Sequence, residues 1–219
     1  MGAFVPQNFI EQRKTLLMLM WLGWSSALVI SAIHPFDQLT WVMEVMPAII
    51  GVAIMVYTWR TFPLTTLLYG LILFHSLILM VGGHYTYARV PMGEWWKEWF
   101  GFSRNNYDRF GHLAQGFIPA IITREILMRA SPLKPGGWLN FLTVTVCMAI
   151  SVVYEFIEWW AALLMGQGAD EFLATQGDIW DTQWDMFFCT VGAISAIVML
   201  SRYHNRAVTL LQTEINRNR

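Results

Sequence analysis

Six ionisable side chains stand at helical spacing in or beside long apolar stretches of this 219-residue sequence. They form three pairs, each three or four residues apart: Asp108 with His112, Glu155 with Glu158, and Asp181 with Asp185. Side chains at this spacing lie on one face of a helix. Like charges held together at low dielectric repel each other, so a cation, a shared proton or a substrate is expected to compensate them.

Three kinds of chemistry fit these pairs. The first is a divalent metal site, because helix-bundle metalloproteins use inward-facing carboxylates and histidines as ligands. Oxygen ligands suit Mg, Ca or Mn, and histidine would admit Zn or Fe. The second is a proton or cation pathway through the same carboxylates. The third is purely structural, with Arg104 and Arg109 pairing with some carboxylates while others face water. No local signature such as His-Glu-x-x-His decides among them.

The candidate residues fall into two groups. The predicted metal ligands are Asp108, His112, Glu155, Glu158, Asp181 and Asp185, and the first four are also the candidate catalytic residues. A second set of neighbouring polar residues is predicted to contact a substrate: Glu44, His84, Arg104, Arg109 and Asp178. The arginines suit a phosphate group. Asp178 extends the last pair by one turn if its helix begins that early. His75 is alone in an apolar run and is interpreted as a satisfied core histidine rather than a ligand, and His34 and His204 lie at span ends and give no signal.

The composition places these residues in a membrane protein. Hydrophobic residues make up 56% of the chain and charged residues 13%, with a mean hydropathy of +0.44. Soluble domains contain roughly 25% charged residues. The composition therefore excludes a disordered protein and a nucleic-acid-binding protein. Both cysteines, Cys147 and Cys189, lie inside apolar runs, so a disulfide framework is not expected.

The apolar runs predict a single all-α domain, a polytopic transmembrane helical bundle covering residues 1–219. Its six spans are expected at about 15–33, 41–59, 64–82, 108–127, 138–163 and 182–201. The fourth is marginal, since only 11 uncharged residues separate His112 from Arg124. The first could instead be a cleaved signal peptide. Its apolar run continues past the small residues 25–27 that resemble a cleavage site, which favours a retained span.

Basic residues predict the orientation. With the N-terminus in the cytoplasm, ten fall on the inner side: Arg13, Lys14, Arg60, Arg124, Arg129, Lys134, Arg202, Arg206, Arg217 and Arg219. Four fall on the outer side: Arg89, Lys97, Arg104 and Arg109. This excess predicts that both termini are cytoplasmic. Twelve of the 15 acidic residues then lie toward the outside, and all three pairs lie at the outer ends of their spans.

The third loop, which is an outer one, contains an aromatic segment at residues 93–102. Its Trp95, Trp96, Trp99 and Phe102 have helical spacing. This pattern predicts a short interfacial helix on the outer leaflet. The alternative is a loop whose tryptophans belong to the aromatic belt.

Four longer segments carry a family resemblance: residues 84–87, 106–117, 154–160 and 177–186. They resemble the YjdF family of bacterial inner-membrane proteins of unknown function, and the likeness runs from about residue 31 to residue 202. The resemblance implies a multi-pass protein of the bacterial inner membrane. A more distant likeness is to VanZ-like membrane proteins, which are linked to glycopeptide resistance. Asp108 and His112 match their pattern, whereas Glu158 replaces a Gln and Asp185 replaces an Asn.

An acidic, histidine-containing site at the outer leaflet leads to three functional hypotheses. The first is a metal-dependent hydrolase or transferase acting on a lipid or a lipid-linked envelope substrate. The second is a proton- or cation-coupled transporter, although transport sites lie nearer the midplane between repeats and no repeat is visible. The third is a non-catalytic binding or assembly protein. Besides the bilayer, a lipid-type substrate is the only partner expected. The sequence does not predict an oligomeric state.

Overall fold

The computed structural model describes residues 7–166 and 170–217. Within them the chain is helical apart from short connections, which confirms the predicted all-α bundle. The helices are α1 (Gln7–Ser31), α2 (Gln38–Thr58), α3 (Thr66–Tyr85), α4 (Pro91–Phe100), α5 (Tyr107–Ala130), α6 (Gly137–Met165), α7 (Asp170–Leu173) and α8 (Asp181–Arg217). A 3-10 turn, Tyr87–Arg89, leads from α3 toward α4.

Six helices match the six predicted spans. Five of them are long and apolar enough to cross a membrane by length and composition: α1, α2, α3, α6 and α8. The sixth, α5, has 24 residues and is therefore about 36 Å long, which is enough to span a bilayer. It is less apolar because α3, α6 and α8 pack around it and separate much of its surface from lipid.

Local sequence signals explain where several helices begin and end. The carboxylate of Asp37 accepts a hydrogen bond from the backbone N–H of Thr40 at 2.7 Å and so caps the start of α2. Pro91 occupies the first turn of α4, where a missing N–H is harmless. At the other end of α4, Gly101 adopts a left-handed conformation with φ +67°, which terminates the helix.

Two boundaries differ from the predictions at the last helix. The span was expected to end near residue 201, but α8 continues to Arg217. Val208, Leu211 and Ile215 are buried at helical spacing in the extension, so the amphipathic pattern continues after the hydropathy falls. At the other end, α8 begins at Asp181. Asp178 therefore lies in the preceding turn and does not share a helix face with Asp181 and Asp185.

Helices α5 and α8 run parallel and share the most extensive interface in the described part of the chain. Two glycines allow this close approach. A Cβ atom at Gly116 would overlap the carbonyl oxygen of Cys189, and one at Gly192 would overlap the carbonyl oxygen of Leu113. Small residues commonly permit such backbone contact between membrane helices. This pair forms the centre of the bundle.

The predicted helix in the third loop is present as α4. Trp95, Trp99 and Phe100 on α4 are exposed. Trp96 points the other way: its ring stacks on Tyr107, with ring centroids 6.5 Å apart, and meets Phe110 edge-on. The helix therefore has one face packed on the start of α5 and one aromatic face turned outward. Its placement on the outer leaflet remains a prediction.

Candidate functional site

The centre of the candidate site consists of Asp108 and His112 on α5 and Asp185 on α8. The Nε2 atom of His112 lies 3.6 Å from Oδ1 of Asp108 and 3.8 Å from Oδ1 of Asp185. One ligand atom from each residue can be chosen so that all three atoms lie within 4.8 Å of one another. All three side chains are buried. These three residues, the trio, could hold a metal ion.

Two oxygens of the trio lack a hydrogen-bond donor. Asp185, which is only 2% exposed, has no partner for Oδ1 within the described residues, and Asp108 Oδ2 has no hydrogen bond there but lies 3.8 Å from the guanidinium of Arg104. Buried carboxylate oxygens are normally satisfied, so these two require a ligand, a water molecule or a proton. His112 Nδ1 lies 2.9 Å from the amide oxygen of Gln115 and donates to it. In the neutral ring Nε2 then carries the lone pair, and it faces the carboxylates.

Three glutamates surround the trio. Glu155 and Glu158 on α6 interact electrostatically with His112 and Asp108. Glu155 is buried, and its Oε1 atom has no hydrogen-bond partner within the described structure. Glu44 on α2 is also buried and accepts a hydrogen bond from the Tyr154 hydroxyl at 3.2 Å. Helices α2, α5, α6 and α8 thus bring the predicted acidic residues to one end of the bundle.

The two arginines near the trio are paired with carboxylates, as the structural alternative expected. Arg104 forms a close ion pair with Asp181 and lies 3.5 Å from Asp178 and 3.8 Å from Asp108. Its other hydrogen bond goes to the carbonyl oxygen of Ala174, at 3.0 Å. Arg109 donates to Asp178 at 2.6 Å. Asp181 and Asp178 are therefore engaged by arginines rather than turned toward the trio.

His84 lies apart from this cluster. Its Nδ1 atom is 3.0 Å from the carbonyl oxygen of Ser31, at the end of α1, and its ring meets Tyr85 edge-on. The backbone carbonyl of His84 also accepts a hydrogen bond from Phe36. These contacts join α3 to the connection between α1 and α2.

A cavity of about 250 Å³ continues from the trio into the bundle. Asp108, His112, Glu44 and Glu158 form its polar end. His75 also lines it, and its buried Nε2 atom has no hydrogen-bond partner among the described residues, which differs from the satisfied core histidine that was expected.

Tyr87 closes one wall of the cavity from the 3-10 turn. A side chain at Gly82 or Gly111 would overlap its ring, so both glycines are needed for this packing. Burial raises the pKa of the Tyr87 hydroxyl well above its ordinary value, and the nearby Glu44 acts in the same direction. Tyr87 therefore contributes a neutral phenol.

A second buried polar cluster lies at the opposite end of α5, and it was not predicted from the sequence. Glu125 accepts hydrogen bonds from the backbone N–H of Thr65 at 3.0 Å and its hydroxyl at 2.7 Å. Arg129 donates to Glu125 at 2.7 Å, and His204 Nε2 lies 3.1 Å from it. The position of His204 at the end of a span gave no signal of this contact. The available signal was Glu125 itself, an acidic residue among the basic residues of the predicted inner side.

The fold and the cluster define a multi-pass helical membrane protein with a buried acidic and histidine-containing site at one end of its bundle. The chain belongs to the family described as "Predicted membrane protein (DUF2238)", whose model matches residues 16–206. It is similar to the inner membrane protein YjdF of Escherichia coli (strain K12), with 54% identity over 179 residues, covering 82% of this chain and 86% of the relative. No solved structure matches. The family resemblance drawn from the sequence motifs is confirmed.

Proposed function

We propose that this protein is a metal-dependent hydrolase or transferase whose divalent ion is held by Asp108, His112 and Asp185. The observation that carries the proposal is the trio: three ligand atoms converge within 4.8 Å, and within the described residues each of its two buried carboxylates has an oxygen without a hydrogen-bond donor. A bound cation would satisfy both oxygens and offset the repulsion between the carboxylates.

Such an ion would polarise a phosphoryl or carbonyl oxygen of the substrate, or it would activate a water molecule that attacks the substrate. Glu155 and Glu158 are the proposed proton acceptors beside it, because both interact with His112 and neither is held by an arginine in a described ion pair. The substrate class is a lipid or a lipid-linked envelope compound, since the family is one of membrane proteins and the relative in Escherichia coli is an inner membrane protein. The predicted outer-leaflet location of the site agrees with such a substrate.

Arg104 and Arg109 have a smaller role in this proposal than the phosphate binding that the sequence predicted. Phosphate binding by Arg104 requires that Asp181 give up its ion pair, and binding by Arg109 requires the same of Asp178. We therefore assign both arginines to positioning the connections around the site.

Metal analysis of the detergent-purified protein, prepared without chelators, tests the proposal. We expect stoichiometric divalent metal and a thermal transition that rises when the ion is added back to a stripped sample. Asp185→Asn should lose the metal. Asp178→Asn is the matched control, because Asp178 belongs to the arginine pairs and not to the trio. Wild-type protein without metal, and with a transition insensitive to divalent ions, would refute the proposal.

A proton- or cation-coupled transporter is the second candidate, and the cavity favours it. The cavity extends along α5 from Asp108 to Ile122, a distance of about 21 Å. Ion-driven uptake in proteoliposomes that is abolished by Glu158→Gln would establish transport. If the vesicles show no ion flux above that of empty liposomes, this candidate is excluded.

A further inference from the structure

The cavity beside the trio has two chemically different halves. Its polar half contains Glu44, Asp108, His112 and Glu158. Its other half, farther along α5, is mainly apolar: Ile72, Leu79, Ile122 and Ile150 line it together with Pro119, while His75, Ser76 and Gln115 add polar atoms to the wall. An amphiphile matches this division, because a polar head and an alkyl chain would each meet a surface of its own kind.

The cavity lies between two helices that pack against different neighbours. Helix α2 packs on α3, whereas α6 packs on α5 and α8. Pro47 of α2 and Ile150 of α6 both line the cavity and are both exposed. In a membrane-spanning bundle this exposed apolar rim faces acyl chains. The hydrogen bond from Tyr154 to Glu44 crosses from α6 to α2 at the polar end of the opening.

The charged side chains of the cavity wall determine which charge the head group of a bound amphiphile should have. Over residues 7–166 and 170–217, the wall contains no lysine or arginine, and its basic side chains are His75 and His112. Arg104 and Arg109 are turned toward Asp181 and Asp178 instead. With the trio occupied by a metal ion, Glu44 and Glu158 are the carboxyl groups that face the remaining space. An ammonium group placed beside Glu44 and Glu158 is attracted to these carboxylates, and an anionic group placed there is repelled.

We propose that the site receives an alkyl amphiphile with an amine-bearing head group, which enters sideways from the bilayer between α2 and α6. Its ammonium group lies beside Glu44 and Glu158, and its chain lies along the apolar half toward Ile122. This inference rests on the proposed function, because it names the substrate class of the same site.

Radiolabelled dodecylamine, measured by equilibrium binding in a non-ionic detergent, is the probe. We expect saturable binding to the metal-loaded protein that unlabelled dodecylamine displaces and dodecyl phosphate does not. Gly51→Leu should weaken binding by about tenfold or more. Gly51 lines the cavity, and a Cβ atom there meets nothing within 4 Å, so the larger side chain fills the cavity without a clash.

Gly70→Leu is the matched control. Gly70 lies on α3, a Cβ atom there also meets nothing within 4 Å, and the residue is exposed and away from the cavity wall. This variant should bind dodecylamine as the wild type does. Glu44→Gln, which removes a charge and adds no bulk, should also weaken binding and serves if Gly51→Leu fails to fold.

Metal content measured on the same samples separates the two proposals. Wild-type protein without metal rejects the proposed function. Metal retained in Gly51→Leu together with unchanged dodecylamine binding rejects lateral entry into this cavity. Equal displacement by dodecyl phosphate and dodecylamine rejects the cationic head group, and the inference with it.

Discussion

The guanidinium of Arg104 joins three acidic residues from different parts of the chain. Asp108 lies on α5, Asp181 opens α8, and Asp178 belongs to the turn before it. The same guanidinium binds the carbonyl oxygen of Ala174. Arg104 therefore ties the connection before α5 to the connection before α8. At the scale of single residues, this contact fixes the relative positions of the helix starts that carry the trio.

Replacing Arg104 with Gln should lower the free energy of unfolding by about 3–5 kcal/mol, because it leaves buried carboxylates without their cation. The side chain of Arg104 is 8% exposed. Lys97→Gln is the control: Lys97 is 41% exposed and lies 3.5 Å from Glu94, so its loss should cost about 0–1 kcal/mol. Thermal unfolding in detergent measures both. Equal effects for the two variants would show that Arg104 does not hold the site together.

The sequence predicted the local part of the site and missed the distant part. Asp108 and His112 are one helical turn apart, so their proximity follows from helix geometry alone. The pairing of Glu125 with His204 spans 79 residues and depends on how α5 and α8 are packed. No spacing rule reports such a contact. From the sequence, Glu125 and Arg124 at the end of α5 were considered only in predicting the orientation of the membrane span.

Helix α5 is the element that organises the rest. It carries Asp108 and His112 near one end and Arg124 and Glu125 near the other. His112 and Arg124 are about 18 Å apart along the helix axis. Arg124 donates to Asn140 of α6 and Asn205 of α8, at 2.6 and 3.0 Å. A helix with charged groups at both ends is poorly suited to contact with lipid, and its neighbours satisfy those groups instead.

Gly116→Ala should destabilise the protein by about 1–3 kcal/mol through overpacking. The added methyl group would overlap the backbone of α8 at Cys189, and neither backbone can move without displacing the other helix. Gly70→Ala is the matched control, since its new methyl group meets nothing within 4 Å. Chemical or thermal unfolding in detergent compares them. A Gly116→Ala variant as stable as the control would contradict the close α5–α8 contact.

The helices were more predictable than their packing. Long apolar runs located five of the six long helices, because burial in lipid demands an uninterrupted hydrophobic stretch, and α5 was found from a shorter run that follows Asp108 and His112. The same criterion placed the end of the last helix near residue 201, where the hydropathy falls. The helix continues to Arg217 because one face of that segment is apolar and the opposite face is polar. The glycine contacts at Gly116 and Gly192 carry no hydropathy signal.

The whole molecule is polarised along its long axis. Arg104 and Arg109 lie at the end that carries the trio, and Arg124 and Arg129 lie at the other end of α5. Arg13 joins the second group, since its guanidinium donates to the carbonyl oxygen of Leu64 at 2.9 Å. The relative sides assigned to these residues from the sequence therefore agree with the fold. Which end faces the cytoplasm is a prediction of the positive-inside rule.

Reporter fusions test that orientation. Green fluorescent protein fused after the last residue should fluoresce, because we expect a cytoplasmic C-terminus. Alkaline phosphatase inserted at Gly101, between α4 and α5, should be active, since we expect that loop outside. The matched control is the same insertion at Lys134, between α5 and α6, which should be inactive. The reverse pattern of phosphatase activity would place the trio at the inner leaflet.

The glycine-mediated contact between α5 and α8 has a mechanical consequence. All three residues of the trio belong to these two helices, so they form part of one rigid body whose backbones interlock. The facing wall of the cavity belongs to α2, which is attached chiefly through α3. Movement of α2 away from α5 would therefore widen the cavity and leave the distances within the trio unchanged, and it would have to break the hydrogen bond from Tyr154 to Glu44.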